Sequence, residues 1–131
     1  MEASLPSGFA EYIGTEWVDF DPDGARARIA VEDHHKQPYG IVHGGVYATL
    51  AESVTSAATY EAIKDDGMVA MAQSNHATFL RPITEGTITA VARARQRGRT
   101  TWVWDVDILD SDERVCALVR MTIAVRPMNR D

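Results

Sequence analysis

The stretch VYATLAESVTSAATYEAI, residues 46–63, decides the fold. It is rich in alanine, lacks Gly and Pro, and is long enough for about four or five turns of helix. Between Val46 and Tyr60 it carries one charged residue, Glu52. A surface helix shows a charged face, so this one is predicted to be surrounded by protein. Val46, Leu50, Val54 and Ala57 fall along one side, and Thr49, Glu52, Ser56 and Thr59 follow spacings that give a polar stripe on another. The expectation is a buried Glu52, and an unpaired buried carboxylate is costly enough to suggest a task.

Outward from the helix, every other segment reads as strand or loop. Residues 14–21 and 25–32 are two strands around a turn at Pro22-Asp23-Gly24, with Ala25, Ala27, Ile29 and Val31 alternating against Arg26, Arg28 and Ala30. Residues 5–13 can form a short helix, and 33–45 is a long loop. After a break at Asp65-Asp66-Gly67 come strands at 68–80, 87–95, 100–109 and 114–125. Ile88, Ala90, Ala92 and Ala94 on one strand, and Trp102, Trp104, Val106 and Ile108 on the next, both ask for the core. Pairing them sets Arg93 opposite Asp105 and Ala94 opposite Trp104. Two strands, a long helix and four strands with hairpin-sized connections give an α+β architecture, one antiparallel sheet of about six strands covering the helix. The whole of 1–131 is read as one domain.

The residues opening the helix add chemistry. His43-Gly44-Gly45 stands at its start, where backbone N–H groups have no internal partner and the positive end of the dipole lies. Glycine admits a carbonyl close to that backbone, which is what an oxyanion donor requires. Glu52 lies eight residues beyond Gly44 on the same helix, hence about 12 Å away. One carbonyl cannot touch both within one subunit. If both act together, Glu52 comes from a second copy, and the expectation is an obligate dimer with shared sites.

Composition bounds the alternatives. The 131 residues carry a net charge of −6, which argues against a nucleic-acid binder. Cys116 is the only cysteine, so an internal disulfide and a cysteine-built zinc site are excluded, and a reducing, cytoplasmic setting fits. The first fifteen residues lack a basic start and an apolar run, so no signal peptide is read. No run of about 18 apolar residues is present for a membrane span.

The stretch KQPYGIVHGGVYATLAESVTSAATY (36–60) resembles the hotdog-fold thioesterase superfamily, in the branch whose catalytic Glu lies on the central helix. That branch includes 4-hydroxybenzoyl-CoA, 1,4-dihydroxy-2-naphthoyl-CoA and phenylacetate-pathway thioesterases. The dense match covers about a fifth of the chain, and the strand order agrees over nearly all of it. The resemblance implies a hotdog fold, a long central helix wrapped by a curved antiparallel sheet. It implies hydrolysis of an acyl-CoA, aryl or naphthoyl favoured and aliphatic possible, to a free acid and CoA. No metal or organic cofactor is expected. Position by position, Glu52 matches the nucleophile or general base and Gly44 the oxyanion donor. Gln37 matches an amide near the thioester carbonyl, His43 a residue orienting the site, and Ser56 a hydroxyl beside the carboxylate. Gly45, Phe79 and Arg81 match substrate or CoA positions more loosely; His76 is a candidate for the acyl pocket, Thr100 and Thr101 for pantetheine, and Arg126 for a CoA phosphate. Relatives pair their dimers, so a homotetramer is expected. Two other readings stay open: a hotdog enoyl-CoA hydratase or dehydratase, although neither of their histidine motifs is found, and a non-catalytic acyl-CoA sensor, which has no need of a buried acid.

Overall fold

A computed structural model describes residues 8–21 and 23–128. A short helix α1 (Phe9–Tyr12) leads into strands β1 (Glu16–Phe20) and β2 (Gly24–Ala30). A 3-10 turn at Asp33–His35 begins the loop to the long helix α2 (Gly44–Ile63), and strands β3 (Met68–Phe79), β4 (Thr87–Arg97), β5 (Thr101–Leu109) and β6 (Val115–Pro127) follow. The six strands form one antiparallel sheet in the order β1-β2-β4-β5-β6-β3, with α2 packed against it. Pro22 and residues 5–7 of the expected N-terminal helix lie outside the described residues. The rest of the turn before β2 is held by Asp21 Oδ1, which accepts the amides of Asp23 and Gly24.

Alternation works as the sequence predicts. Ala25, Ala27 and Ile29 of β2 are buried, while Arg26 and Arg28 are exposed. Ile88, Ala90 and Ala92 meet Trp104, Val106 and Ile108 in the core, and the pairing sets Arg93 against Asp105 and Ala94 against Trp104. Small alanines on β4 leave room for the fully buried Trp104. The register slips between Ala94 and Gln96, where the hairpin twists.

The helix differs from expectation in which face it buries. The inward residues are Tyr47, Leu50, Ala51, Val54, Thr55, Ala58, Thr59 and Ile63, a stripe with i, i+3 and i+4 spacing. Val46 and Ala57 are only half-buried, and Thr59 belongs to the core rather than to an exposed polar stripe. Leu50 and Val54 are buried as expected and Val46 packs against the core; alanine and threonine are compatible with either face, so polarity alone misplaced Ala57 and Thr59. Thr55 and Thr59 enter the core at low cost because their hydroxyls donate back to the Ala51 and Thr55 carbonyls, at 2.8 and 2.7 Å. α2 ends at Ile63, a 3-10 turn follows at Lys64–Asp66, and the chain reverses through Gly67 at φ 72°, a left-handed conformation that glycine adopts without strain.

Candidate active site

The helix start is built by a folded loop. Lys36 and Val42 form an isolated bridge, and between them the Gln37 amide donates to the Ile41 carbonyl at 2.8 Å. The Gly40 amide donates to the Gln37 carbonyl at 2.9 Å, closing a tight turn. This loop is anchored by His35, which sequence reasoning passed over. Its Nδ1 accepts the Glu32 amide at 2.9 Å, so the proton resides on Nε2, which donates to the Ile13 carbonyl at 2.8 Å. The His35 carbonyl in turn accepts the His43 amide at 2.9 Å. A buried histidine in a polar loop leaves no periodic signal, so nothing in the sequence distinguished it from exposed His34.

At the helix N-terminus the two glycine amides have different fates. The Gly45 N–H donates to Nδ1 of its own N-cap, His43, at 3.0 Å. The Gly44 N–H has no acceptor among the described residues. It is a donor at the positive end of a 20-residue helix. Because Nδ1 of His43 accepts, the neutral ring carries its proton on Nε2, which is therefore a second donor beside the helix start. Phe79 lies against Gly44: a Cβ there would stand 2.7 Å from the ring atoms Cε2 and Cζ. The ring also packs on Tyr47, with centroids 5.9 Å apart. Tyr47 is buried beneath it, and that burial pushes its phenol up to about 12.

Glu52 corrects one expectation. Within one chain its side chain is exposed, not buried. It borders a small cavity of about 180 Å³ lined by Phe9, Ala48, Thr49, Ser53 and Asn75. The inward stripe of α2 satisfies the sheet, and Glu52 stands on the face left over. Ser56, one turn on, is half-buried, and its hydroxyl makes no bond back to the helix. Asn75, which sequence reasoning did not single out, reaches α2 from β3 and contacts Glu52. Gly44 and Glu52 are eight positions apart on one straight element, so the chain by itself does not bring them to one point.

Comparison with known proteins bears directly on this arrangement. The profile of the thioesterase superfamily matches residues 39–117, from the loop before Gly44 into β6. The chain belongs to the thioesterase superfamily. Its fold is the hotdog fold of solved thioesterases, and it is a thioester hydrolase. It is similar to a structure of a variant of thioesterase PA1618 from Pseudomonas aeruginosa, at 33% identity and a TM-score of 0.89, over 96% of this chain and 91% of that one. Thioesterase HI1161 from Haemophilus influenzae superimposes with a TM-score of 0.86 at 30% identity, over 92% of this chain and 84% of that one. In sequence it is 35% identical to a 1,4-dihydroxy-2-naphthoyl-CoA hydrolase of Listeria monocytogenes, over 91% of this chain and 96% of that protein.

The remaining candidate positions of this thioesterase divide between two ends of the sheet. Arg81 is exposed just beyond β3, at the end where Phe79 meets Gly44. Thr100, Thr101 and Arg126 lie at the other end: Arg126 pairs with Val69, about 33 Å along β3 from Phe79 at the rise of a strand. The Arg126 guanidinium donates to the Thr100 and Val125 carbonyls at 2.7 and 2.9 Å, which ties down the β4–β5 turn. These three residues are not brought to Gly44 of their own chain. His76 also departs from expectation. It points to the outer face of the sheet, into a cavity of about 420 Å³ with Thr78, Arg93, Asp105 and Arg120, whereas Asn75 faces α2. A role for His76 in an acyl pocket therefore requires another subunit's surface. Among the described residues no cluster of His, Cys, Asp and Glu is arranged to hold a metal ion, and no helix is long and apolar enough to cross a membrane.

Proposed function

We propose that this thioesterase hydrolyses acyl-CoA thioesters, aryl or naphthoyl groups preferred, at sites shared between two copies of the chain. The observation that carries the reading is the Gly44 amide, open at the head of α2 while its neighbour is capped by His43. The thioester carbonyl binds this N–H, with the Gln37 side-chain amide beside it. Negative charge developing on the carbonyl oxygen is stabilised by a donor that needs no reorganisation. Glu52 of the second copy supplies the carboxylate. In one route its oxygen adds to the carbonyl carbon, the thiolate of CoA leaves, and water hydrolyses the resulting anhydride. In the other it removes a proton from water, whose oxygen adds while the thiolate leaves. Ser56, one turn from Glu52, offers a hydroxyl to the same carboxylate.

Two features support sharing between copies. Glu52 and its cavity are exposed in the single chain, where a second surface can cover them. The strand next to them, β3, is a 12-residue edge of the sheet with Met71 55% exposed, and long edges of this kind are covered in stable proteins. A pairing of dimers into a tetramer is the expected assembly. Arg81, exposed near the helix start, takes a CoA phosphate in this reading, while Arg126, Thr100 and Thr101, at the far end of the sheet, would serve a site on a neighbouring subunit. The aryl preference draws on the likeness to the Listeria naphthoyl-CoA hydrolase.

The test is thiol release from a panel of aryl-, naphthoyl- and aliphatic-CoA substrates, with wild type and Glu52→Ala. Loss of a nucleophile or base predicts a fall in turnover of at least about 100-fold. Full activity in Glu52→Ala would overturn the assignment, and full activity in a monomer would overturn the shared site. In labelled water, an enzyme oxygen in the product acid of the first turnover marks the anhydride route.

A further inference from the structure

The register of β3 contains an irregularity that matters for Glu52. Ala70 and Ala72 pack against the core, so simple alternation would send Asn75 to the outer face. The strand bulges between Ala72 and Ser74, where Gln73 has no partner on β6. One extra residue resets the alternation, and Asn75 and Ala77 then face α2. The Asn75 side-chain amide donates to the Ala48 carbonyl at 2.9 Å and to Glu52 Oε1 at 3.3 Å. Ala48 O is an acceptor only, so the nitrogen of Asn75 must point to it, and the same nitrogen's second proton faces the carboxylate. Among the described residues no other side chain donates to Glu52.

We propose that Asn75 is a positioning residue for Glu52. An exposed glutamate samples many rotamers, and few of them present an oxygen at a fixed distance from a substrate bound across a subunit boundary. The Asn75 amide is itself pinned by the helix backbone, so it holds Oε1 in place and leaves Oε2 directed outward for the carbonyl or water. The contribution is orientation: a reacting group misplaced by an ångström loses much of its rate. The inference rests on the proposed role of Glu52.

The experiment measures kcat, KM and thermal midpoint for Asn75→Ala and Asn75→Asp, each also in a Glu52→Gln background. Asn75→Asp has nearly the same shape but turns an acceptor toward two oxygens. The expected result for both single variants is a fall in kcat of about tenfold with KM within about twofold. In the Glu52→Gln background the same substitutions should change kcat by less than about twofold, because the carboxylate they orient is gone. Unchanged kcat in the single variants, a rise in KM that accounts for the loss, or the same tenfold loss in the Glu52→Gln background would each overturn the positioning role. If Glu52→Gln alone keeps full turnover, the reading of Glu52 itself has failed, and that outcome is separate from any result at Asn75.

Discussion

Nδ1 of His43 accepts the amide proton of Gly45 at 3.0 Å, and so the helix start offers one open glycine amide rather than two. Capping therefore leaves the Gly44 N–H as the free donor of the pair, and the histidine ring is held in the tautomer that carries its proton on Nε2. Phe79 closes one side of Gly44, so a Cβ at this position has to displace that exposed ring.

Sharing of the site between copies predicts complementation. Gly44→Pro removes the N–H at the first helical position, where proline is tolerated, and Phe79→Ala added to both chains relieves the ring contact. Glu52→Ala and Gly44→Pro homodimers should each be inactive. Refolded together in equal amounts, they form mixed dimers with one doubly defective site and one intact site. Activity should return to about a quarter of the parent value, since half of the dimers are mixed and each carries one working site. Additive inactivity after co-refolding, with mixed dimers verified by mass, would rule out a shared site.

The core joint between helix and sheet predicts a coupling energy. Trp104 donates its indole N–H to the Thr59 hydroxyl at 2.9 Å, and both residues are fully buried. Thr59→Val keeps the shape but strands the indole donor. The expected cost is about 1–3 kcal/mol by urea unfolding. Trp104→Phe removes the donor, so the double variant should be more stable than the sum of the single losses predicts. Strict additivity would show that the bond contributes nothing.

The outer face of the sheet predicts a pH dependence. Arg120 donates through Nε and Nη2 to both oxygens of Asp105, at 2.7 and 3.0 Å, and this pairing, with Arg95 nearby, holds the Asp105 carboxyl below the usual carboxylate range. A carboxylate with a depressed folded pKa stabilises the protein above its unfolded pKa, near ~3.9, and loses that contribution as pH falls through the folded value. Asp105→Asn should therefore melt below wild type at pH 7, with a gap that closes under acid conditions below about pH 4. A gap independent of pH would assign the loss to packing instead.

Much of this protein was determined by sequence alone because the signals were local and periodic. The alanine-rich run at 46–63 could only be a long helix, the alternation in β2, β4 and β5 placed Arg93 against Asp105, and His43-Gly44-Gly45 marked a helix start with exposed amides. The motif from Lys36 to Tyr60 pointed to the superfamily that the profile match then showed. Tertiary structure decided what no local pattern encodes. Which side of α2 meets the sheet depended on packing volume, so Thr59 went inward against a reading based on polarity, and Glu52 stayed outward against the expectation that the whole helix is enclosed by its own chain. The bulge at Gln73 turned Asn75 toward the helix and His76 away from it, because one unpaired residue inverts every side chain after it. His35 became the anchor of the loop only when Ile13 and Glu32, distant or unremarkable in sequence, were folded around its ring.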